Sequence, residues 1–303
     1  MHPVISLKDV HKNYGFNQKA LCGLDLEIEA GRFVGLFGPN GAGKTTTLKI
    51  LMNLIPPSKG SATVLGCPSR HLGPTQLQRI GYVSENQPLP GWMTLDQLLR
   101  YCRPLYPTWD EAVCRELRTL FALPADKHIR DFSRGMHMKA ALLSSLSYLP
   151  EVVILDEPFS GLDPLSRDQF VEGLMALSAH KPFTLLLSSH DVGEVERLCD
   201  TVAFLQAGCL SLSEDTEDLL RRFRRIEAKV SAGLCSASLL VPGMKAPHLD
   251  ACRLQYIQTH FTDAATETAS LQKRCPGATL TAVSPMSLRD IIVHLSGPEG
   301  DIA

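Results

Sequence analysis

Phe33-Val34-Gly35-Leu36-Phe37 runs directly into Gly38-Pro39-Asn40-Gly41-Ala42-Gly43-Lys44-Thr45-Thr46, and this stretch decides the fold. The first segment is a short apolar run bounded by glycines and reads as a buried strand. The glycine-rich continuation fits G-x-x-x-x-G-K-[ST]. From Thr45 to Leu54 the chain reads as a helix that Pro56-Pro57 ends. Strand, turn and helix in that order have one physical use. Glycines let the backbone curl with its N–H groups pointing inward, which makes an anion nest. The helix N-terminus adds a partial positive charge. Lys44 supplies a full charge toward the β- and γ-phosphates of a nucleotide, and Thr45 offers a hydroxyl to Mg²⁺, which prefers oxygen ligands. A fortuitous glycine turn would require neither the strand before it nor the helix after it.

Working outward, Val152-Val153-Ile154-Leu155, Phe183–Leu187 and Thr201–Leu205 read as further buried strands. Helical patterns over Arg134–Leu149 and Val192–Cys199 lie among them. Strands alternating with helices predict an α/β domain with a mostly parallel sheet. Asp156-Glu157 follows the first of these strands, and carboxylates at that end of a parallel strand sit where such sheets bind ligands. An isolated Asp-Glu pair reads as a solvated turn. Beside a phosphate loop it reads as a metal holder, Asp156 acting through water, and a proton acceptor for the attacking water, Glu157.

Between Pro88 and Pro150 the pattern is nearly all helical, which predicts a helical insertion over about 88–150. Texture changes again near residue 220, so the expected organisation is a main domain over 1–220 and a small α+β domain over 221–303. In the latter, Ile226–Val230 and Ala278–Val283 read as strands, and Ala264–Cys275 and Met286–Leu295 as helices, the second capped by Ser287 with Asp290 three residues on. Arg221-Arg222-Phe223-Arg224-Arg225 reads as the solvated end of a helix, with contact to anionic lipid as the sharper alternative.

Composition narrows the class. The 303 residues are 44% hydrophobic and 20% charged, with a net charge of -2. These values exclude a disordered or disulfide-scaffold chain and give no global pull toward nucleic acid. The nine cysteines are odd in number and never spaced C-x-x-C, which predicts reduced thiols in a reducing compartment. No stretch is long and apolar enough to span a bilayer, and Met1-His2-Pro3-Val4 does not begin a secretory signal.

Further motifs carry a resemblance. Phe132-Ser133-Arg134-Gly135-Met136 precedes a helix that Ser133 can cap. Asp156-Glu157-Pro158 leads into Ser160-Gly161-Leu162-Asp163, Ser189-His190-Asp191 follows a strand, and Ile80-Gly81-Tyr82-Val83-Ser84-Glu85 lies between the phosphate loop and the helical part. Residues 4 to about 220 resemble the nucleotide-binding subunits of ABC ATPases, a P-loop NTPase fold. The resemblance implies that Ser133, Arg134, Gly135 and Met136 are the signature, in the place of L-S-G-G-Q. It implies that Asp163 belongs to the D-loop, His190 is the switch histidine, Tyr14 stacks on adenine and Glu85 marks the Q-loop. It further implies ATP and Mg²⁺ as ligands, Mg²⁺ being met by Thr45, Glu85 and Asp156. Two such domains, as a homodimer or heterodimer, would clamp ATP head to tail between the phosphate loop of one and the signature of the other. Lys44, Glu157 and His190 would carry hydrolysis.

Three positions depart from the family pattern. Glu85 stands where glutamine is usual, which keeps an oxygen for Mg²⁺ but adds a negative charge and loses a donor. Arg134 replaces the first glycine of the signature, and Met136 replaces its glutamine. Trp92, Tyr101, Tyr106 and Trp109 read either as a small helical core or, on the sharper reading, as marks of a docking surface on the helical insertion. In the family that region receives a membrane subunit. The stretch Gly91–Asp110 and the tail Ser287–Ile292 resemble the exporter-type subgroup with separate membrane subunits. The expectation is therefore a peripheral ATPase on the cytoplasmic face of the inner or plasma membrane, bound to an integral membrane permease and not to nucleic acid. The alternative is a soluble ABC ATPase acting on nucleic acid or ribosomes. A single ATPase domain without sustained heptads, at near-neutral charge, disfavours that alternative.

Overall fold

The computed structural model describes residues 3–15, 18–194, 196, 198–231 and 241–296. The chain divides into two compact units, 1–213 and 214–303.

The first unit begins with β1 (Ile5–Tyr14), β2 (Gln18–Ile28) and β3 (Phe33–Phe37), followed by α1 (Lys44–Leu51), β4 (Lys59–Val64), β5 (Cys67–Pro68), α2 (Pro74–Leu77) and β6 (Ile80–Ser84). Three helices come next: α3 (Leu95–Cys102), α4 (Glu111–Leu120) and α5 (Arg134–Leu146). The unit then alternates β7 (Val152–Asp156), α6 (Pro164–His180), β8 (Thr184–Ser189), β9 (Thr201–Gln206) and β10 (Cys209–Asp215).

Two sheets result. One has the order β10-β9-β3-β8-β7-β6. Its pairs β9·β3, β3·β8, β8·β7 and β7·β6 are parallel. Burial explains the continuous apolar runs: β7 and β8 are buried at every position, as strands covered on both faces must be. The other sheet, β2-β1-β4-β5, is antiparallel. It turns Ile5, Leu7, Leu24, Leu26, Ile28, Ala62 and Val64 into a core shared with Val34 and Leu36 of the parallel sheet. The alternation Leu24-Asp25-Leu26-Glu27-Ile28 is the period-2 pattern of a half-buried strand. It was open to reading from sequence, yet no strand was expected before Phe33.

Boundaries differ from expectation where the backbone turns left-handed. α1 stops at Leu51, with Asn53 at φ 56, and α5 stops at Leu146, with Leu149 at φ 52. The expected helix over Val192–Cys199 is seen as a single short turn, Val192–Glu194; residues 195 and 197 lie outside the described residues. The strand expected over Phe183–Leu187 is shifted to Thr184–Ser189.

The helical insertion is built on side-chain caps. Thr94 and Gln97 cap α3 reciprocally, Asp110 caps α4 and Ser133 caps α5. Tyr106 and Tyr148 stack with ring centroids 3.8 Å apart, and Tyr148 donates to the Ile80 carbonyl at 2.8 Å.

The second unit holds α7 (Thr216–Arg222), β11 (Arg224–Lys229), β12 (Met244–Asp250), β13 (Arg253–Gln258), α8 (Ala264–Arg274), β14 (Thr279–Pro285) and α9 (Leu288–Ser296). Its antiparallel sheet has the order β12-β13-β11-β14. Ser287 caps α9, accepting from the Asp290 N–H at 3.1 Å. The arginine cluster is engaged within this unit. Arg221 pairs with Asp218, Arg222 pairs with Glu214 and donates to the Thr259 carbonyl, and Arg224 donates to the Leu220 and Phe223 carbonyls.

Candidate functional site

Three neighbouring parallel strands end together. Phe37 of β3 lies opposite Ser189 of β8, and Ser188 of β8 lies opposite Asp156 of β7. Whatever follows each strand is therefore delivered to one edge: the glycine loop after β3, Glu157 after β7 and His190 after β8.

Two positions of the glycine loop have no room for a side chain. Gly38 has φ 154, and a Cβ there would fall 2.2 Å from the Leu205 carbonyl oxygen. Gly43 has φ 108, and its Cβ would fall 2.6 Å from the Ala20 carbonyl oxygen. The loop curls into the N-terminus of α1. It lines a cleft of about 540 Å³ together with Tyr14, Lys44, Thr45, Thr46, Glu85, Glu157 and His190.

Lys44 is buried and spans the loop. Its Nζ donates to the Gly38 carbonyl at 2.7 Å and lies 3.1 Å from Glu157 Oε1. The other Glu157 oxygen, Oε2, lies 2.7 Å from His190 Nδ1 and accepts from the His190 backbone N–H at 3.3 Å. Glu157 has φ 48, a left-handed conformation that costs a non-glycine residue about 1 kcal/mol. Contacts on every side hold it there, including a hydrogen bond from its own N–H to Ser188 Oγ at 2.9 Å.

Thr45 and Asp156 meet beside this chain of contacts. Thr45 Oγ1 donates to Asp156 Oδ1 at 3.0 Å, and Ser188 Oγ donates to the same oxygen at 2.7 Å. Burial pushes the Asp156 carboxyl above its ordinary value; the Ser188 and Thr45 hydroxyls pull it back and the Glu157 charge pushes it up again. A buried carboxylate so placed favours a cation. The donor set of hydroxyl and carboxylate oxygens fits Mg²⁺.

Other predicted residues are placed differently. Tyr14, at the end of β1, is 41% exposed on the cleft wall and has Lys12 Nζ 5.3 Å from its ring centroid. Glu85 lines the cleft, but its Oε1 already accepts from Arg134 Nη2 and Ser160 Oγ, each at 2.8 Å. Asp163 caps α6, its Oδ1 accepting from the Ser166 N–H at 2.9 Å. Ser133, Arg134, Gly135 and Met136 do not line the glycine-loop cleft. Ser133 and Arg134 instead border a second hollow of about 380 Å³ with Glu85, Pro88 and His137. Gly135 packs under α6, where a Cβ would come within 3.0 Å of Ser166 Oγ.

Ser188, fully buried, is the site residue that sequence reasoning missed. Its only sequence signal was its place at the end of an apolar strand, one residue before the Ser189-His190 pair.

The family pattern described as ABC transporter matches residues 21–160. An uncharacterized ABC transporter ATP-binding protein of Nostoc sp. is 40% identical over 233 residues, 72% of this chain and 68% of that one. The chain belongs to the ABC transporter ATP-binding protein family. This ABC subunit is also 34% identical to Nod factor export ATP-binding protein I of Cupriavidus metallidurans, over 69% of this chain and 70% of the relative. Among solved structures, an ATP-binding subunit of an ABC transporter superposes with a TM-score of 0.65 at 29% identity, covering 72% of this chain and 92% of that chain. The ABC subunit therefore binds and hydrolyses ATP, and its first unit has the P-loop NTPase fold of ABC cassettes. No helix among its described residues is long and apolar enough to cross a membrane.

Proposed function

We propose that this chain is the energy-coupling ATPase of an ABC exporter, held at the cytoplasmic face of the membrane by a separate permease subunit. The contact chain Lys44–Glu157–His190 beside the Thr45–Asp156 pair carries this reading. Lys44 and the loop N–H groups bind the β- and γ-phosphates, while Tyr14 stacks on the adenine. Thr45 and Asp156, with Glu85 at the rim, would hold Mg²⁺, which when bound neutralises phosphate charge. Glu157 accepts the proton of the attacking water, and His190 fixes the carboxylate that does so. The work is electrostatic: donors are placed before the charge they stabilise develops.

The signature residues do not line the chain's own cleft. That supports a second ATPase subunit: Ser133, Arg134 and Gly135 would meet nucleotide bound to the partner, and ATP would stabilise the closed pair by differential affinity. The helical insertion supports a membrane partner. Trp92 is 70% exposed and Tyr101 61% exposed, an apolar, aromatic surface of the kind interfaces use. Export in particular is supported by the relative named for export.

Affinity capture of the tagged full chain from membranes tests the proposal. Recovery of a multi-span membrane protein is expected. Recovery of ribosomes or DNA in its place would overturn it in favour of the soluble alternative.

A further inference from the structure

Two departures from the family pattern meet in the fold. Arg134, the first residue of α5, donates through Nη2 to Glu85 Oε1 at 2.8 Å and to Ser160 Oγ at 3.2 Å. Ser160 Oγ donates to the same glutamate oxygen at 2.8 Å. The guanidinium packs against Gly161, where a Cβ would come within 2.9 Å of Arg134 Cζ and Nη1. One cation thus joins three segments: the loop after β6, the start of α5 and the turn after β7. The residues the family uses at these positions, glycine and glutamine, could not form this link.

The arrangement is suited to exchange. A cation at a helix N-terminus is opposed by the helix dipole, and α5 has no acidic residue of its own in its first turn. Glu85 supplies the compensating anion from another segment. The pair is reachable by solvent, with side chains 50% and 36% exposed, so it biases an equilibrium by about two- to fivefold rather than locking it. A phosphate offers the guanidinium the same kind of oxygen pair as a carboxylate. Glu85 also borders the glycine-loop cleft, which Arg134 does not.

We propose that Arg134 and Glu85 form a releasable latch: Arg134 trades Glu85 for the terminal phosphate of ATP held by a second copy of the chain, and Glu85 is thereby freed toward its own cleft. The latch rests on the reading that two copies clamp ATP between glycine loop and signature. It makes each cleft sense the other. Glu85 becomes available in one cleft only when the same chain's Arg134 has engaged nucleotide in the opposite one, so the two ATP sites fill cooperatively.

The test uses the full chain carrying Glu157→Gln, so that ATP persists. Sedimentation velocity gives the ATP concentration for half-dimerisation. A fluorescent ATP analogue gives monomer affinity, by which each result is normalised. Glu85→Gln frees Arg134 and should lower the half-dimerisation concentration by about two- to fivefold. Arg134→Gln should raise it, and the double variant should behave like Arg134→Gln. If the pair were only a brace, both single variants would weaken dimerisation together; an increase or no change with Glu85→Gln overturns the latch. A parent that stays monomeric at saturating ATP removes the clamp, and the latch with it.

Discussion

Removing one methylene-bound hydroxyl at Ser188 should damage stability far more than its size suggests. Ser188 Oγ does two things at once: it accepts the Glu157 N–H at 2.9 Å and donates to Asp156 Oδ1 at 2.7 Å. Ser188→Ala deletes a hydrogen bond to a charged acceptor, about 1.5–3 kcal/mol, and orphans a partly buried N–H, about 1 kcal/mol. Taking about 3 kcal/mol for the two, the folded-to-unfolded ratio falls roughly a hundredfold. For a unit of this size that is a melting temperature lower by about 6–12 °C, at about 2–4 °C per kcal/mol. Circular dichroism melts without nucleotide read it directly. The loss should also depend on pH. Asp156 titrates above its ordinary value of 3.8, and losing the Ser188 hydroxyl raises it further. A carboxyl raised by folding stabilises fully below the unfolded value, and that contribution is lost as pH rises through the folded value. The deficit of the variant should therefore grow from acidic toward neutral pH. A shift under about 2 °C, or a deficit equal at both pH values, would refute the claim that this hydroxyl supports the Asp156-Glu157 turn.

Other outcomes follow from the same contacts. Glu157→Gln should retain ATP binding and lose at least about a hundredfold in turnover; wild-type hydrolysis would remove Glu157 as the proton acceptor. Lys44→Ala should weaken nucleotide binding itself, measured by equilibrium titration, because the buried cation aimed along the loop is gone; retained affinity would contradict its role. Asp156→Asn keeps an Oδ1 acceptor for Ser188 and Thr45 but removes a buried charge that burial opposes, so the ligand-free protein should melt higher at neutral pH while the extra stabilisation by Mg²⁺-ATP disappears. In the second unit, buried Glu267 accepts from Tyr256 Oη and from Gln258 Nε2, the latter at 2.9 Å. Glu267→Ala orphans both donors and should cost about 3 kcal/mol, read as earlier proteolysis of 214–303 with ATPase activity retained.

Legibility in the sequence followed the range of each interaction. Gly38 to Thr46 could be read because strand, turn and helix are contiguous, and the glycines there serve a local backbone need while Lys44 and Thr45 supply the charge and hydroxyl a phosphate site uses. Asp156 and Glu157 could be placed because they follow an apolar run and parallel strands bring their ends to one edge, whereas His190 was reached only through the family resemblance. Ser133 and Ser287 were visible as caps because capping is local in sequence, whereas the capping role of Asp163 emerged only from the structure. The antiparallel sheet escaped for a different reason. β1 contains Asp9 at φ 48, where its register with β2 shifts. The alternation begun at Ile5-Ser6-Leu7 therefore breaks before it becomes convincing. Ser188 escaped because nothing in an apolar strand marks which hydroxyl will face a carboxylate on the neighbouring strand.

Arg134 and Glu85 show the limit most clearly. Considered singly, each substitution invites its own explanation: an arginine to attract the opposite nucleotide, a glutamate to hold Mg²⁺. Contact at 2.8 Å makes those explanations interdependent. While Arg134 is bound to Glu85 it cannot give its full charge to a phosphate, and while Glu85 is bound to Arg134 and Ser160 its Oε1 is not offered to a metal. Each role is strengthened when the other residue lets go. A site that had only exchanged glutamine for glutamate would place a bare negative charge at the rim of a triphosphate cleft, and one that had only exchanged glycine for arginine would place an unbalanced cation at a helix N-terminus. Each change alone is modestly unfavourable for its surroundings, and together they are neutral. That argues for treating positions 85 and 134 as one functional unit, whose effect on dimerisation has a sign that neither residue alone predicts.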